Sequence, residues 1–315
     1  FAVESNMDIL AEQLGMDPAE LRRKNAMRVG ATTATGQLLR ESVGLLDCLD
    51  RVEKDIRYWV LDNSSRHPIP NTQYPISNPW LPYQIGAERY AWGIAAGYKN
   101  TGLGGGAPDK STAEVEVFSD GTAEIRTSSA EMGQNLIGVL AACTAEELGL
   151  PIAAVRVLVM DTDRTPDGGP TTASRQTYVS GNAARLVARQ MRQQMQAVLA
   201  EKFDVHPDVI AFHEGLAYVD EGRLAQVHGA NGNGTADGGR RTNGNGSGSA
   251  IRNSQLATRT ISFGDAVSAM LSEGREAKLQ YEYWAPKTQP LGTGGDMHFA
   301  FSYAVHAALV SVDTE

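Results

Sequence analysis

The sequence predicts an α+β fold, small mixed β-sheets packed by helices. Three observations point there. Between residues 113 and 199 the pattern runs strand, strand, helix, strand, helix. Residues 168–183, Gly-Gly-Pro-Thr-Thr-Ala-Ser-Arg-Gln-Thr-Tyr-Val-Ser-Gly-Asn-Ala, pack small residues and hydroxyls into a loop that leads into a long helix. In that helix Leu186, Val187, Met191, Met195, Val198 and Leu199 recur three and four apart, the period of one buried face. With 42% hydrophobic and 21% charged residues, the 315-residue chain has an ordinary globular composition, enough for one large or two medium domains.

The same numbers exclude several classes of partner. The net charge is −9 and the pI near 5.2, with no basic patch, which argues against nucleic acid. No apolar run approaches the roughly 20 residues of a membrane span, and no signal peptide is evident. Cys48 and Cys143 stand far apart and offer neither a disulfide framework nor a four-cysteine metal site, so a reducing cytoplasm is the expected location. The Asn-x-Ser/Thr triplets at 63, 233 and 245 carry no meaning without secretion. The chain opens at Phe1 inside a helical pattern (Val3, Met7, Leu10, Leu14) and stops just after the apolar run 304–312; it reads as a piece of a longer polypeptide.

Residues 1–89 read as a helical segment and crossover. The first helix covers 1–14 and stops at Gly15. Asp17-Pro18-Ala19-Glu20 starts a second, with an N-cap, Pro at the first position and an acid three residues after the cap, continuing to Met27. A third is expected over 41–60, and 67–82, with five prolines, as loop. Residues 90–228 form a ββαβα core. It opens with the aromatic and small-residue stretch 90–100 and the glycine-rich loop 102–109. Strands at 113–118 and 123–127 flank the hairpin turn Ser119-Asp120-Gly121-Thr122. A helix opened by Glu131-Met132-Gly133-Gln134 runs to Leu148 and is closed by Gly149 and Pro151; a buried strand over 155–160 and the long helix follow. Strands at 216–219 and 224–227 flank Asp220-Glu221-Gly222-Arg223 as a hairpin. Residues 229–254, within a run of Gly, Asn, Ser and Thr, read as a flexible insertion. Residues 255–315 carry a second sheet segment: a short helix at 262–271, then strands at 279–284 and 300–312 around Gly292-Thr293-Gly294-Gly295-Asp296.

Two loop-to-helix junctions, at Gln134 and at 174–177, follow the same small sheet and are expected to face one pocket. The first turn of a helix carries amide N–H groups without intrahelical partners and the positive end of the macrodipole. Ser174, Gln176, Thr177 and Ser180 add side-chain donors, so the place suits a polyanionic or heteroatom-rich cofactor. Other chemistries fail on spacing. Lys110-Ser111-Thr112 follows glycines, but Asp109 stands where a P-loop needs Gly, and a strand follows where it needs a helix. The six histidines show no zinc spacing. Asp161, Asp163 and Asp167 lack the Gly and Glu of a calcium loop, and no Gly-x-Ser-x-Gly elbow occurs.

Several motifs in one order resemble a known family. Ala130-Glu131-Met132-Gly133-Gln134, Glu146-Glu147-Leu148-Gly149-Leu150-Pro151 and Pro170-Thr171-Thr172-Ala173-Ser174 resemble the molybdopterin-binding large subunit of the xanthine dehydrogenase and aldehyde oxidase family. The opening Phe1-Ala2-Val3-Glu4-Ser5, with Gly15-Met16-Asp17-Pro18 and Arg22-Arg23-Lys24-Asn25, and residues 292–301 are similar to it as well.

The resemblance implies an α+β molybdenum-cofactor-binding domain. In it Gln134 would hydrogen-bond the pterin and Gly133 would let the backbone come close. Thr172, Ala173, Ser174, Arg175 and Gln176 would line the phosphate and pterin side, mostly through backbone N–H groups, and Gly104, Gly105 and Gly106 would wall the substrate cavity. No residue of this chain is expected to ligate the metal directly. The family hydroxylates an aldehyde or an N-heterocycle, here preferably purine-like, with oxygen from water. Its glutamate base would lie downstream of Glu315, so no glutamate present here, including Glu131 and Glu147, takes that role, and the isolated chain is expected to be inactive. The implied cofactor is molybdenum-molybdopterin, as such or as its cytosine dinucleotide. The 2Fe-2S clusters and FAD would sit on an iron–sulfur subunit and a flavin subunit, or in other regions, of a hetero-oligomer that takes a small-molecule substrate. The competing expectation is a non-catalytic scaffold paralogue that keeps the fold and pairs with other subunits.

Overall fold

The computed structural model describes residues 1–63, 80, 82–85, 87–223 and 259–313. The chain forms two compact units, one from Phe1–Ala107 with Lys287–Glu315 and one from Pro108–Pro286.

The first unit begins with α1 (Ala2–Gln13), α2 (Pro18–Asn25) and α3 (Leu45–Asn63). The Asp17 carboxylate accepts the N–H groups of Ala19 (2.8 Å) and Glu20 (3.1 Å), the expected cap, and Pro18 at the first position lacks an N–H to satisfy. α2 ends at Asn25, earlier than expected, because Ala26 is extended. α3 starts at Leu45, four residues later than the periodicity suggested. Arg22, buried, reaches Glu4 (2.7 Å) and Asp8 (2.8 Å) and locks α2 to α1; Arg23 reaches Asp50 and Glu53 and ties α2 to α3. Strands β1 (Tyr83–Ile85), β2 (Glu88–Thr101) and β10 (Ala300–Asp313) form an antiparallel sheet, β2 and β10 paired from Glu88↔Asp313 to Thr101↔Ala300. One face of it, with Trp92, Ile94, Val305 and Ala307, packs on Ala19, Leu49, Ile56 and Trp80. The sequence gives 90–100 no clear period because the positions facing away from this core are Ala91, Gly93, Ala95 and Gly97, so the alternation has no polar half.

The second unit holds a four-stranded sheet in the order β5-β4-β3-β9: β3 (Lys110–Val117), β4 (Ala123–Thr127), β5 (Val155–Val159) and β9 (Lys278–Trp284). β3 and β4 make the predicted hairpin, with Phe118 and Thr122 closing it at 2.9 Å. β5 runs parallel to β4, reached through α4 (Leu136–Leu148). It is an edge strand with a half-exposed far side, not the buried strand expected from its apolar run. α5 (Gln176–Phe203) covers the sheet, burying Val187, Met191, Met195, Val198 and Leu199 against Val115, Ile125 and Leu140; Leu186 is half-buried at the margin. Glu147 of α4 receives Arg189 (2.6 Å), Arg192 (3.2 Å) and Arg185 (3.6 Å) of α5, which clasps the two helices together.

A second sheet, β6-β7-β8, joins Ile210–His213, Leu216–Val219 and Thr260–Ser262. Glu214 (φ 48°) and Gly215 (φ 76°) are both left-handed, the requirement of a tight two-residue hairpin, so β7 turns back on β6. The hairpin expected over 216–227 does not form, because β7 is paired by β6 on one side and β8 on the other and residues 221–223 are helical; residues 224–227 themselves, like all of 229–254, lie outside the described residues. Ser262 caps α6 (Phe263–Ser272) by accepting the Asp265 N–H. No described helix is long and apolar enough to cross a membrane.

Candidate functional site

β4 and β5 are the parallel pair of the second unit, and each runs from its C-terminal end through a loop into a helix: 128–135 into α4, 160–175 into α5. In open sheets the ends of parallel strands are where loops gather to bind ligands. The two loops are joined directly. Ala130 N donates to Thr171 Oγ1 at 2.8 Å, Gly168 N to Ser128 Oγ at 2.8 Å and Ser128 N to Pro166 O at 2.9 Å. Gln134 Nε2 donates to Ala130 O (2.9 Å), and Gln176 Nε2 to Thr171 Oγ1 (2.8 Å). A continuous run of hydrogen bonds therefore links Gln134 to Gln176 through Ala130 and Thr171.

The first junction is closed by its own side chains. The Glu131 carboxylate accepts the N–H groups of Gly133 (2.8 Å), Ile137 (3.0 Å) and Asn135 (3.2 Å). The Ile137 bond, followed by those of Gly133, Asn135 and Leu136, holds its carboxyl below the usual carboxylate range against a counteracting desolvation. The sequence led us to expect these helix-start amides to be open to a ligand. They are engaged by Glu131 instead, because Gly133 (φ 97°) and Asn135 (φ 62°) fold the loop back over its acid. Gln134 is exposed. Its Oε1 accepts Met132 N (2.6 Å), which fixes the amide while leaving one of its two N–H groups and one lone pair for a ligand. Space for a Cβ at Gly133 is open on this side.

The second junction is built the other way. Ala173 (φ 50°) and Ser174 (φ 53°) are both left-handed, a strain of about 1–3 kcal/mol each for residues with a Cβ. The change of hand from Ser174 to Arg175 (φ −87°) turns the chain into α5, and Arg175 N closes the turn on Thr172 O at 3.1 Å. Thr172, Ser174 and Thr177 are exposed there. Arg175, Gln176 and Ser180 are not. Arg175 is fully buried, with Nε on Asp109 Oδ1 (2.7 Å), Nη1 on Gly168 O (2.9 Å) and Pro170 O (2.8 Å), and Nη2 on Lys110 O. Gln176 accepts from Ser129 Oγ (2.9 Å) and Ser180 Oγ, and Ser180 meets Ser111 Oγ at 2.9 Å. Of the hydroxyls read as donors from the sequence, Ser174 and Thr177 face outward, while Ser180 belongs to a buried hydroxyl cluster. Sequence reasoning misses Ser129 altogether and the roles of Glu131 and Asp109: it reads Glu131 only as part of a helix opening, and Asp109 only as the residue that breaks a P-loop.

The predicted substrate-wall glycines lie in the first unit. Gly105 N donates to Met297 O (2.8 Å) and Gly106 N to Thr288 Oγ1 (3.0 Å). Gly104 (φ 68°) passes so close to His298 that a Cβ would enter the imidazole ring. Gln37 brackets the same residue, donating to His298 O (2.6 Å) and accepting His298 N (3.0 Å). No cluster of three or more metal-ligating side chains occurs among the described residues.

Residues 83–315 match the profile of the molybdopterin cofactor-binding domain. The chain belongs to that family. As a molybdopterin cofactor-binding domain it resembles the aldehyde oxidoreductase of Megalodesulfovibrio gigas, at 33% identity over 196 residues, 61% of this chain and 19% of that protein. The putative xanthine dehydrogenase molybdenum-binding subunit XdhA of Escherichia coli K12 is 33% identical over 199 residues, 62% of this chain and 24% of that subunit. The domain thus aligns with about a fifth to a quarter of the length of these relatives. Quinoline 2-oxidoreductase from Pseudomonas putida 86 shares the fold, with a TM-score of 0.58 at 19% identity over 99% of this chain and 34% of that one. The donor set suits the cofactor that the family name implies. Exposed hydroxyls stand at Thr172, Ser174 and Thr177 of the second junction and a half-free amide at Gln134, while the carboxylates of Glu131, Asp161 and Asp167 are engaged by backbone N–H groups.

Proposed function

We propose that this domain supplies part of the molybdopterin site of an oxidoreductase that hydroxylates an N-heterocycle or an aldehyde with oxygen from water. The supporting observation is the joining of the two loops through Ala130 N and Thr171 Oγ1 at the ends of the parallel strands. In this reading Gln134 and Gly133 meet the pterin, and Thr172, Ala173 and Ser174 meet it and its phosphate through backbone N–H groups and hydroxyls. Gln176 contributes at most its backbone, since its side chain is buried, and Arg175 donates its own N–H to Thr172 O. Gly104, Gly105 and Gly106 wall the substrate cavity. The cofactor, when bound, supplies the two-electron redox chemistry; the chain's part is to bind, orient and shield it. Gln134 contributes a pre-aimed amide, held by Met132 N and Ala130 O, so little side-chain entropy is lost on binding. Electrons would leave through 2Fe-2S clusters and FAD on partner subunits, and the glutamate base would come from outside this chain.

Gln134→Ala in the full-length protein tests the assignment. Molybdenum per protein, measured by elemental analysis, is expected to fall by about tenfold, the usual effect of removing a supporting hydrogen bond at a metal site. Unchanged metal loading together with unchanged turnover would refute the role of Gln134, whereas a full-length wild type with neither molybdenum nor turnover would favour a non-catalytic scaffold.

A further inference from the structure

We propose that Arg175 and Asp109 are positioning residues that fix the cofactor loop from beneath, and that the Arg175 side chain does not touch the cofactor. This rests on the functional reading above.

The geometry of one guanidinium carries the argument. Arg175 has no exposed surface, and its donors are directed to four protein oxygens. Two of these, Gly168 O and Pro170 O, belong to the loop. The third, Lys110 O, is at the start of β3, and the fourth is the buried carboxylate of Asp109 just before it. The planar fork therefore bolts the loop to the N-terminal end of β3. Gln176 Nε2 reaches the same Pro170 O at 3.3 Å, so that carbonyl is held from two sides. A Cβ at Gly169 would lie 2.9 Å from Nη2, which puts the guanidinium directly against the loop backbone. The left-handed residues Ala173 and Ser174 follow this clamped segment without a glycine to ease them. Such a conformation persists only where its surroundings over-determine it, and the Arg175 clamp is what does so. Asp109 in turn sets the direction of the fork through Nε.

Lysine keeps the charge but cannot reproduce a planar fork that serves separate acceptors. The test therefore uses Arg175→Lys in the full-length protein, with two readouts. In cofactor-free protein, hydrogen exchange at amides 168–174 is expected to accelerate by about tenfold, with amides of α6 unchanged. In loaded protein, molybdenum loss on dilution is expected to accelerate by about tenfold as well. Faster metal loss with unchanged loop exchange would make Arg175 a direct ligand and overturn the proposal. Faster loop exchange with unchanged metal loss would overturn it too, since loop order would then not control cofactor retention. Should the lysine variant not fold, Asp109→Asn keeps the acceptor on Nε and removes only the charge; the same two changes are expected, with about threefold effects, and the same outcomes decide. Wild-type metal content is measured first. A metal-free wild type would overturn the functional reading itself, an outcome separate from either variant result.

Discussion

The two helix-starting loops follow neighbouring parallel strands, yet they are held by opposite means. The loop before α4 is fastened at the surface by its own side chains, Glu131 on the amides of Gly133, Asn135 and Ile137, and Gln134 on Met132 and Ala130. The loop before α5 is fastened from the interior by Arg175, Asp109, Gln176 and the serines behind them, with Thr172 and Ser174 left outward. A helix start is thus not by itself an anion site. Whether its amides are available depends on where the protein places the nearest carboxylate. Glu131 lies within its own loop, whereas Asp109, the acid nearest the second loop's arginine, is underneath it.

The difference can be tested by variants whose effects should descend in order. Arg175→Met withdraws the guanidinium from a carboxylate that is almost fully buried, and should lower the unfolding free energy by about 3–5 kcal/mol in urea titration. A loss below 1 kcal/mol would mean that the second loop is not held from the interior. Gly168→Ala places a methyl group 2.6 Å from Ser129 Oγ and against Thr127 Oγ1, and should cost about 1–3 kcal/mol in the same measurement while displacing the loop. Glu131→Gln should leave the unfolding midpoint least changed. Its signature is local: faster exchange at the amides of 133, 135 and 137. The acid behaves likewise with pH. Because its folded-state pKa lies below the unfolded value, its stabilising effect is present above the ordinary carboxylate range, about pH 4, and disappears as pH falls through the depressed folded value. Amide protection at 133–137 that persists to that lower pH would sharpen the contrast between the loops; loss already at pH 5–6 would contradict it.

Much of this frame was legible in the residues. The turn Ser119-Asp120-Gly121-Thr122, the Asp17 cap, the Gly149 stop and the spacing from Val187 to Leu199 each act locally or with a clear period. The two junctions could also be placed, since strand, loop and helix follow directly in the chain. What escaped depends on partners remote in sequence. Nothing near Asp109 announces Arg175, 66 positions on, and Ser129 and Ser180 look like any loop and helix serine until the fold stacks them. The family likeness pointed to residues 172–176, but no motif distinguishes a residue facing a ligand from one that braces its neighbours. The strand over 88–101 escaped for another reason: alanine and glycine on its outward face erase the alternation on which strand prediction relies.

β9 pairs with β3 along Lys110↔Trp284 to Glu116↔Lys278, so the central strand of the second sheet gains its outer neighbour from the far end of that unit. During synthesis β3, β4, α4, β5 and α5 emerge long before that neighbour does. Until the ribosome has passed Ala285, one flank of β3 faces solvent, and with it the carbonyl of Asp109, which receives Ala285 N at 2.9 Å. The backbone beneath the Arg175 anchor is therefore completed late in the life of this polypeptide, and a nascent chain halted before that strand would carry the 168–175 loop with the Asp109 carbonyl still unheld.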